Sequence, residues 1–381
     1  MDVNMRIRVV LGLVGAMTVA ACGDSTSPSD SSPDAGVGGS GAGDVDGGVD
    51  GAVGGSGGSS CDGTIDLQTD PQNCGTCGRD CLGGACEQGA CLPFVLSTEG
   101  TEPASVEVDA SHVYWAAGST IFRVSKQGGV SERIADDLWN LSDIEVDGTT
   151  VFYVTDADTE ATDVGAVPTE GGAPTLLGKA EGPDGMAVDE GYIYWASRYL
   201  GVYRMPKAGG AAEQLDSTTS LAVRIAIDTT SVYWFLHETG VHGDAIGLIK
   251  SPIGGGFGTA LVEPTGYPID VAADGEHVFL SWRPQYGGDP NVIAQVPVAG
   301  GSVVTLDTPS EYPGLLALDA GHVYYTVADG TVRRVAKGGG SADVLASGQG
   351  TPTSITVDDA AVYWTRLPEG GDPATVLAVA K

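Results

Sequence analysis

An apolar alternation that runs into an aspartate turn and then an aromatic strand recurs through most of the chain. It first appears as Val106–Trp115 (VEVDASHVYW) and returns at 144–153 (IEVDGTTVFY), 186–195 (MAVDEGYIYW) and 225–234 (IAIDTTSVYW). Three further copies follow at 271–280 (VAADGEHVFL), 316–325 (LALDAGHVYY) and 355–364 (ITVDDAAVYW). A strand-bearing period of roughly forty residues is the signature of a propeller or a solenoid. The aspartate at the fourth position opens a tight turn, where its carboxylate can accept hydrogen bonds from backbone N–H groups just ahead.

The spacers between anchors are patterned too. A third strand is expected over Ile121–Lys126, Val202–Lys207 and Val332–Lys337. Glycine pairs at Gly128-Gly129, Gly171-Gly172, Gly209-Gly210, Gly300-Gly301 and Gly338-Gly339 supply the positive φ of a hairpin turn. A short apolar fourth strand follows, as at Pro174–Leu177 and Asp343–Ala346. The last repeat ends in a third strand, Thr375–Lys381, while Phe94–Gly100 precedes the first anchor as a fourth strand with no owner. Pairing the two closes a ring and hides both free edges. The predicted fold is therefore all-β: a seven-bladed propeller of four-stranded antiparallel blades over residues 93–381, closed by strand 94–100.

Composition adds what stands before the propeller. The chain has 381 residues and a formal net charge of −32, which argues against non-specific binding to nucleic acid or anionic lipid. Arg6 and Arg8 precede an apolar run from Val9 to Val19 that is too short to span a bilayer and ends in small residues. Residues 1–21 thus form a signal peptide. Val19-Ala20-Ala21-Cys22 resembles the bacterial lipobox, and that resemblance implies lipidation of Cys22. A plain secretory signal is the alternative. Gly23 takes the place where an aspartate would favour retention at the inner membrane, so an outer-membrane anchor facing the periplasm or the cell surface is expected. Residues 22–60 carry no aromatic side chain and no cation, and their Gly, Ser and Asp content marks a disordered tether.

Six cysteines, Cys61, Cys74, Cys77, Cys81, Cys86 and Cys91, crowd residues 61–92, where bulky apolar residues are few, Ile65 and Leu67 with Leu82 and Leu92. Such a segment needs covalent staples, and in an exported chain an even count favours three disulfides of undetermined connectivity. The rival is zinc at the C-x-x-C knuckle of Cys74 and Cys77. The run from Asp66 to Cys81, with its Asn-Cys-Gly-x-Cys-Gly-x-x-Cys core, then Cys86 and Cys91, resembles the stigma-specific cysteine-rich repeat. The resemblance implies an extracellular interaction or spacer module without catalysis.

The anchors also resemble the YWTD repeat of lipoprotein-receptor propellers, with Val-Asp, Tyr-Trp and a glycine turn in the same order. Those propellers have six blades where seven anchors stand here, and the Thr-Asp after Tyr-Trp is matched only in part, by Trp364-Thr365. The implied role is protein or glycan binding.

The aspartate and glycine turns fall on one end of the propeller and are uniform, while the loops of the other end vary, which is where function usually sits. The longest are 155–163, 236–245, 281–291 and 366–374. Trp139, Arg198, Tyr199, His237, His242, Arg283, Tyr286 and Tyr312 should emerge on that loop face as a ligand-binding set. His112, His277 and His322 share one turn position, which marks them as structural. Residues 93–381 hold no Gly-x-Ser-x-Gly elbow, phosphate-cradling loop or His-Glu-x-x-His motif, so no catalytic residue, metal or cofactor is assigned. The expected function is a membrane-anchored monomer whose propeller docks a protein or glycan. The alternative is a metal-dependent lactonase- or lyase-type propeller enzyme, which would show three or more Asp, Glu, Asn or His side chains converging on the axis.

Overall fold

Each anchor builds the first two strands of a sheet, because its aspartate turn reverses the chain between two runs of alternating apolar residues. In the computed structural model, which describes residues 65–155, 162–198, 201–216, 221–237, 245–263, 266–284, 290–368 and 373–381, this happens seven times. Blade one runs through Pro103–Val108, His112–Ala117, Thr120–Ser125 and Glu132–Ala135. Blades two to six span 141–180, 183–216, 221–262, 266–307 and 313–346. Blade seven takes three strands from 352–380 and its fourth from Phe94–Ser97, which pairs antiparallel with Thr375–Ala380 through Phe94↔Ala378 and Val95↔Leu377. The closing strand thus uses the first part of the stretch expected for it. The expected glycine turns are present, but in blade six the pair at positive φ is Gly339-Gly340, one residue beyond the expected pair. Gly255-Gly256 forms the equivalent turn in blade four.

Alternation along the second strands divides the core between neighbours. Trp115 packs with Ala361, Tyr363 and Ala378 of blade seven. Tyr114, one residue earlier, packs with Ile144, Val151, Tyr153 and Val167 of blade two. Both faces of every blade are therefore buried, and Trp115, Trp195, Trp234 and Trp364 have almost no exposed surface. Burying each such ring is worth about 2–3 kcal/mol on area alone.

The turn aspartates do more than shape the turn. Asp109 Oδ1 accepts the N–H groups of Ser111 (2.6 Å) and His112 (2.7 Å), while Oδ2 accepts the Tyr114 hydroxyl (2.7 Å). Asp189, Asp228, Asp319 and Asp358 repeat the arrangement with Tyr194, Tyr233, Tyr324 and Tyr363. Burial opposes charge on Asp109, but these donors outweigh it and hold the carboxyl below its usual range. His112, His277 and His322 contribute backbone N–H groups to these turns.

The same end carries a cation across every junction between blades. Lys126 of blade one reaches Asp358 of blade seven (2.6 Å), Lys337 reaches Asp274 (2.7 Å), Lys381 reaches Asp319 (2.6 Å), and Lys207 pairs with Asp147. Asp147 and Asp274 stand five residues before Phe152 and Phe279, which have no hydroxyl to offer, so there the lysine meets Oδ2 without a phenol, whereas Lys126 and Lys381 share that oxygen with Tyr363 and Tyr324. Where Thr169, Ile253 and Val298 replace the lysine, the preceding blade reaches forward instead. Arg123 donates to Thr169 O (2.8 Å), Arg204 to Ile253 O (2.9 Å) and Lys250 to Val298 O (2.7 Å).

The cysteine module is disulfide-linked: Cys74–Cys86 and Cys81–Cys91 are bonded, and Cys77 is disulfide-bonded as well. The sulfurs of Cys74, Cys81 and Cys91 lie within 4.8 Å of one another, yet as disulfide sulfurs they are not thiolate ligands for zinc. The module lies against blade seven: its cysteines pack on Ala380, and Arg79 Nε donates to Lys381 O (3.1 Å). Cys61, like Cys22 and the leader and tether, lies outside the described residues.

Candidate functional site

The first strand of each blade sits innermost, and each carries a bulge just before its anchor, as between Pro103 and Ser105 and between Val223 and Ile225. The residue preceding the anchor therefore meets the next blade. Ser105 Oγ accepts the N–H of Ile144 (3.2 Å), and Asp143 Oδ2 accepts that of Met186 (3.1 Å). Asp270 Oδ2 accepts the N–H of Leu316 (2.8 Å), and Ser354 Oγ accepts that of Val106 (3.2 Å). These side chains strap inner strands together across the junctions.

In blade three this position is Gly185, at φ 92°, and in blade four it is Arg224, at φ 59°. A side chain held in that region costs about 1–3 kcal/mol. Arg224 lies 3.5 Å from Asp184, whose other oxygen takes Arg198 Nε at 3.2 Å, so one carboxylate is flanked by two guanidinium groups. Desolvation pushes the carboxyl of fully buried Asp270 up to about 8, against the opposing influence of Arg224, and the charge on Asp143 pushes the same way as burial. Among the described residues, no three His, Asp or Glu side chains bring ligand atoms within 4.8 Å of one another. The axial carboxylates are instead spread round the ring, hydrogen-bonded to backbone or interleaved with arginine.

The loop face offers a second grouping, at the junction of blades five and six. Arg283, near the end of the strand His277–Pro284, lies with its guanidinium carbon 5.1 Å from the Tyr267 ring centroid and 5.3 Å from that of Tyr312. Tyr267 is its direct cross-strand partner, and Tyr312 rises from the connection into blade six. Arg283 and Asn291 are the next residues beyond the last pair of their strands, Trp282↔Val292, and the Asn291 amide donates to Pro309 O at 3.1 Å. A cation held against aromatic rings gains about 0.5–2 kcal/mol, and the geometry restricts its planar head.

The residues expected on the loop face thus divide. Arg283 and Tyr312 are brought together, and Arg198 joins the Asp184–Arg224 group. Trp139 stands 77% exposed on the connection between blades one and two. His237 ends its strand opposite Ala245, and its side chain, with Tyr199, His242 and Tyr286, lies outside the described residues. Tyr267, Asn291, Asp184 and Arg224 were not expected. Only Arg224 had a signal, as a residue directly before an anchor, where Asp143, Arg224 and Asp270 interrupt otherwise apolar or small residues.

No protein-family model and no curated protein matches the sequence. Solved structures match the fold. YCF48 from Cyanidioschyzon merolae is 13% identical with a TM-score of 0.55, over 76% of this chain and 98% of that one. The WD40 propeller domain of Doa1 is also 13% identical with a TM-score of 0.55, over 76% of this chain and 95% of that one. The computationally designed Ika8 protein gives 12% identity and a TM-score of 0.51, over 74% of this chain and 98% of that one.

Proposed function

We propose that this chain is a binding protein of the bacterial cell envelope: anchored by lipid on Cys22, extended by residues 23–60, and docking a protein or glycan on the loop face of its propeller. The observation that carries the binding reading is the Arg283, Tyr267 and Tyr312 grouping, since arginine and tyrosine on a rigid strand end are the residues that anchor ligands. Its setting agrees, because the opposite face is filled by short turns and inter-blade bridges. The YCF48 propeller, similar in fold, has been solved bound to a D1 peptide, so this architecture can hold a peptide. The lipobox and the cysteine module support export.

Binding of the chain to peptide and glycan arrays tests the reading. Replacing Trp139 and Tyr312 together by Ala should abolish capture, while Phe257→Ser, at an exposed turn on the opposite face, should leave it intact. Equal capture by both variants would remove the loop face from consideration. Cys22→Ser should release the protein from membranes, and continued detergent dependence would refute the anchor.

A further inference from the structure

Every other described arginine bonds to an oxygen or is ion-paired with a carboxylate, although Arg224 Nη1, 3.5 Å from Asp184, is also buried without a hydrogen bond. Arg79 reaches Lys381 O, Arg123 and Arg204 reach glutamates and carbonyls, and Arg133, Arg198, Arg224, Arg333 and Arg334 face aspartates, while Arg366 bonds Thr375. In a chain of net charge −32, acceptors are abundant. Arg283 is different: its contacts are the two tyrosine rings, and its Nε is buried with no acceptor. Asn291 has its amide nitrogen on Pro309 O and its Oδ1 buried without a donor. An unmatched donor group and an unmatched acceptor therefore stand just beyond the same strand pair, Trp282↔Val292. Buried polar atoms left in this state cost free energy and call for a partner.

We propose that Arg283 is the docking point for a carboxylate group of the ligand, with Asn291 Oδ1 taking a hydroxyl or N–H carried beside it. The inference rests on the loop face being the binding surface and names the chemistry recognised there. The phenol rings limit how the guanidinium can turn, and with Nε buried its two terminal nitrogens are left to offer parallel N–H donors, which match the two oxygens of a carboxylate. A cation already fixed in place loses little further freedom on binding. The adjoining acceptor selects an acid with a donor close to its carboxylate. A sugar acid, with a hydroxyl, and the C-terminus of a peptide, with an amide N–H, both satisfy that chemistry.

Saturation-transfer NMR on the full chain tests it, with D-glucuronate against D-glucose and a trialanine peptide against its C-terminal amide. At least one acid should bind tenfold or more tightly than its neutral counterpart, and which acid does so identifies the source of the carboxylate. Arg283→Gln should weaken that acid at least tenfold and leave the neutral probe unchanged, with Arg283→Lys intermediate. Should Arg283→Gln not fold, by circular dichroism and melt, Tyr312→Leu at a half-exposed site serves instead and should weaken the acid several-fold. Acid and neutral probes binding alike, or an unchanged affinity in the folded variant, would overturn the proposal. Array capture lost in the Trp139 and Tyr312 double variant but kept in Arg283→Gln would leave the loop face as a binding surface and sink the carboxylate alone.

Discussion

On the turn face, Lys126, Lys207, Lys337 and Lys381 each reach from one blade to an aspartate of the blade before; on the loop face, Arg283 reaches no acceptor within the described chain. Both ends are built from the same repeat and both carry cations and aromatic rings. The difference lies in whether the cation's hydrogen-bonding capacity is spent inside the fold. At the turn face Lys337 lies over Phe279 and Lys381 over Tyr324, but each also ends on a carboxylate, so the ring contact is part of a closed interaction. At Arg283 the ring contact is all there is. A cation's partners, more than its residue type, separate holding the fold from serving a ligand.

The comparison can be broken first at the ring closure. Deleting Phe94–Ser97 should expose the edge of Thr375–Ala380 and lower the melting midpoint by roughly 10 °C or more, since a whole strand pairing goes with buried Leu96 and half-buried Phe94; an unchanged melt would refute closure by this strand. Lys126→Met should cost about 2 kcal/mol in a denaturant titration, less than a fully buried pair because Lys126 and Asp358 keep some solvent contact. Thr169→Lys would place a second cation beside Arg123, the arrangement that Arg334 and Lys381 already hold around Tyr324, and should change stability by less than about 1 kcal/mol in the same titration.

Acid and base should separate the axis from the turn face. Asp270 has its folded pKa raised from 3.8 to about 8, so its penalty is absent below pH 4, grows as pH rises towards 8 and is constant beyond. Asp270→Ser, which copies Ser105 and Ser354, should therefore gain on the parent protein as pH climbs through that window in pH-dependent melts. Asp319 and Asp358 behave in the opposite sense. Burial raises both, but the ammonium groups of Lys381 and Lys126 and other donors lower them further, so their contribution is present above the ordinary carboxylate range and lost as pH falls. The smallest effect is expected for Arg224→Gly, within about 1 kcal/mol, where relief of positive φ offsets the lost contact to Asp184.

The fold was legible because the anchor states it seven times: the aspartate fixes each turn, and Tyr-Trp puts one ring on each neighbouring blade. Closure was legible because Phe94–Gly100 and Thr375–Lys381 each lacked a partner. The axial group was not, since the bulge before each anchor shifts register and turns Arg224 and Asp270 towards neighbours that simple alternation would not give them. Arg283 and Tyr312 could be placed on the right face from topology alone. Their meeting with Tyr267 could not, because it joins blade five to the connection after it.

The cation relay also bears on how such a chain can change. Its blades look like copies, yet a residue two places before the end of one third strand faces a residue in the blade beside it: Arg123 with Thr169, Arg204 with Ile253, Lys250 with Val298, Ala166 with Lys207. The seam between blades six and seven holds two cations at once, Arg334 and Lys381 both standing at Tyr324. Each blade is therefore adapted to its neighbours, and exchanging one alone would change which cation bridges the seams on either side of it.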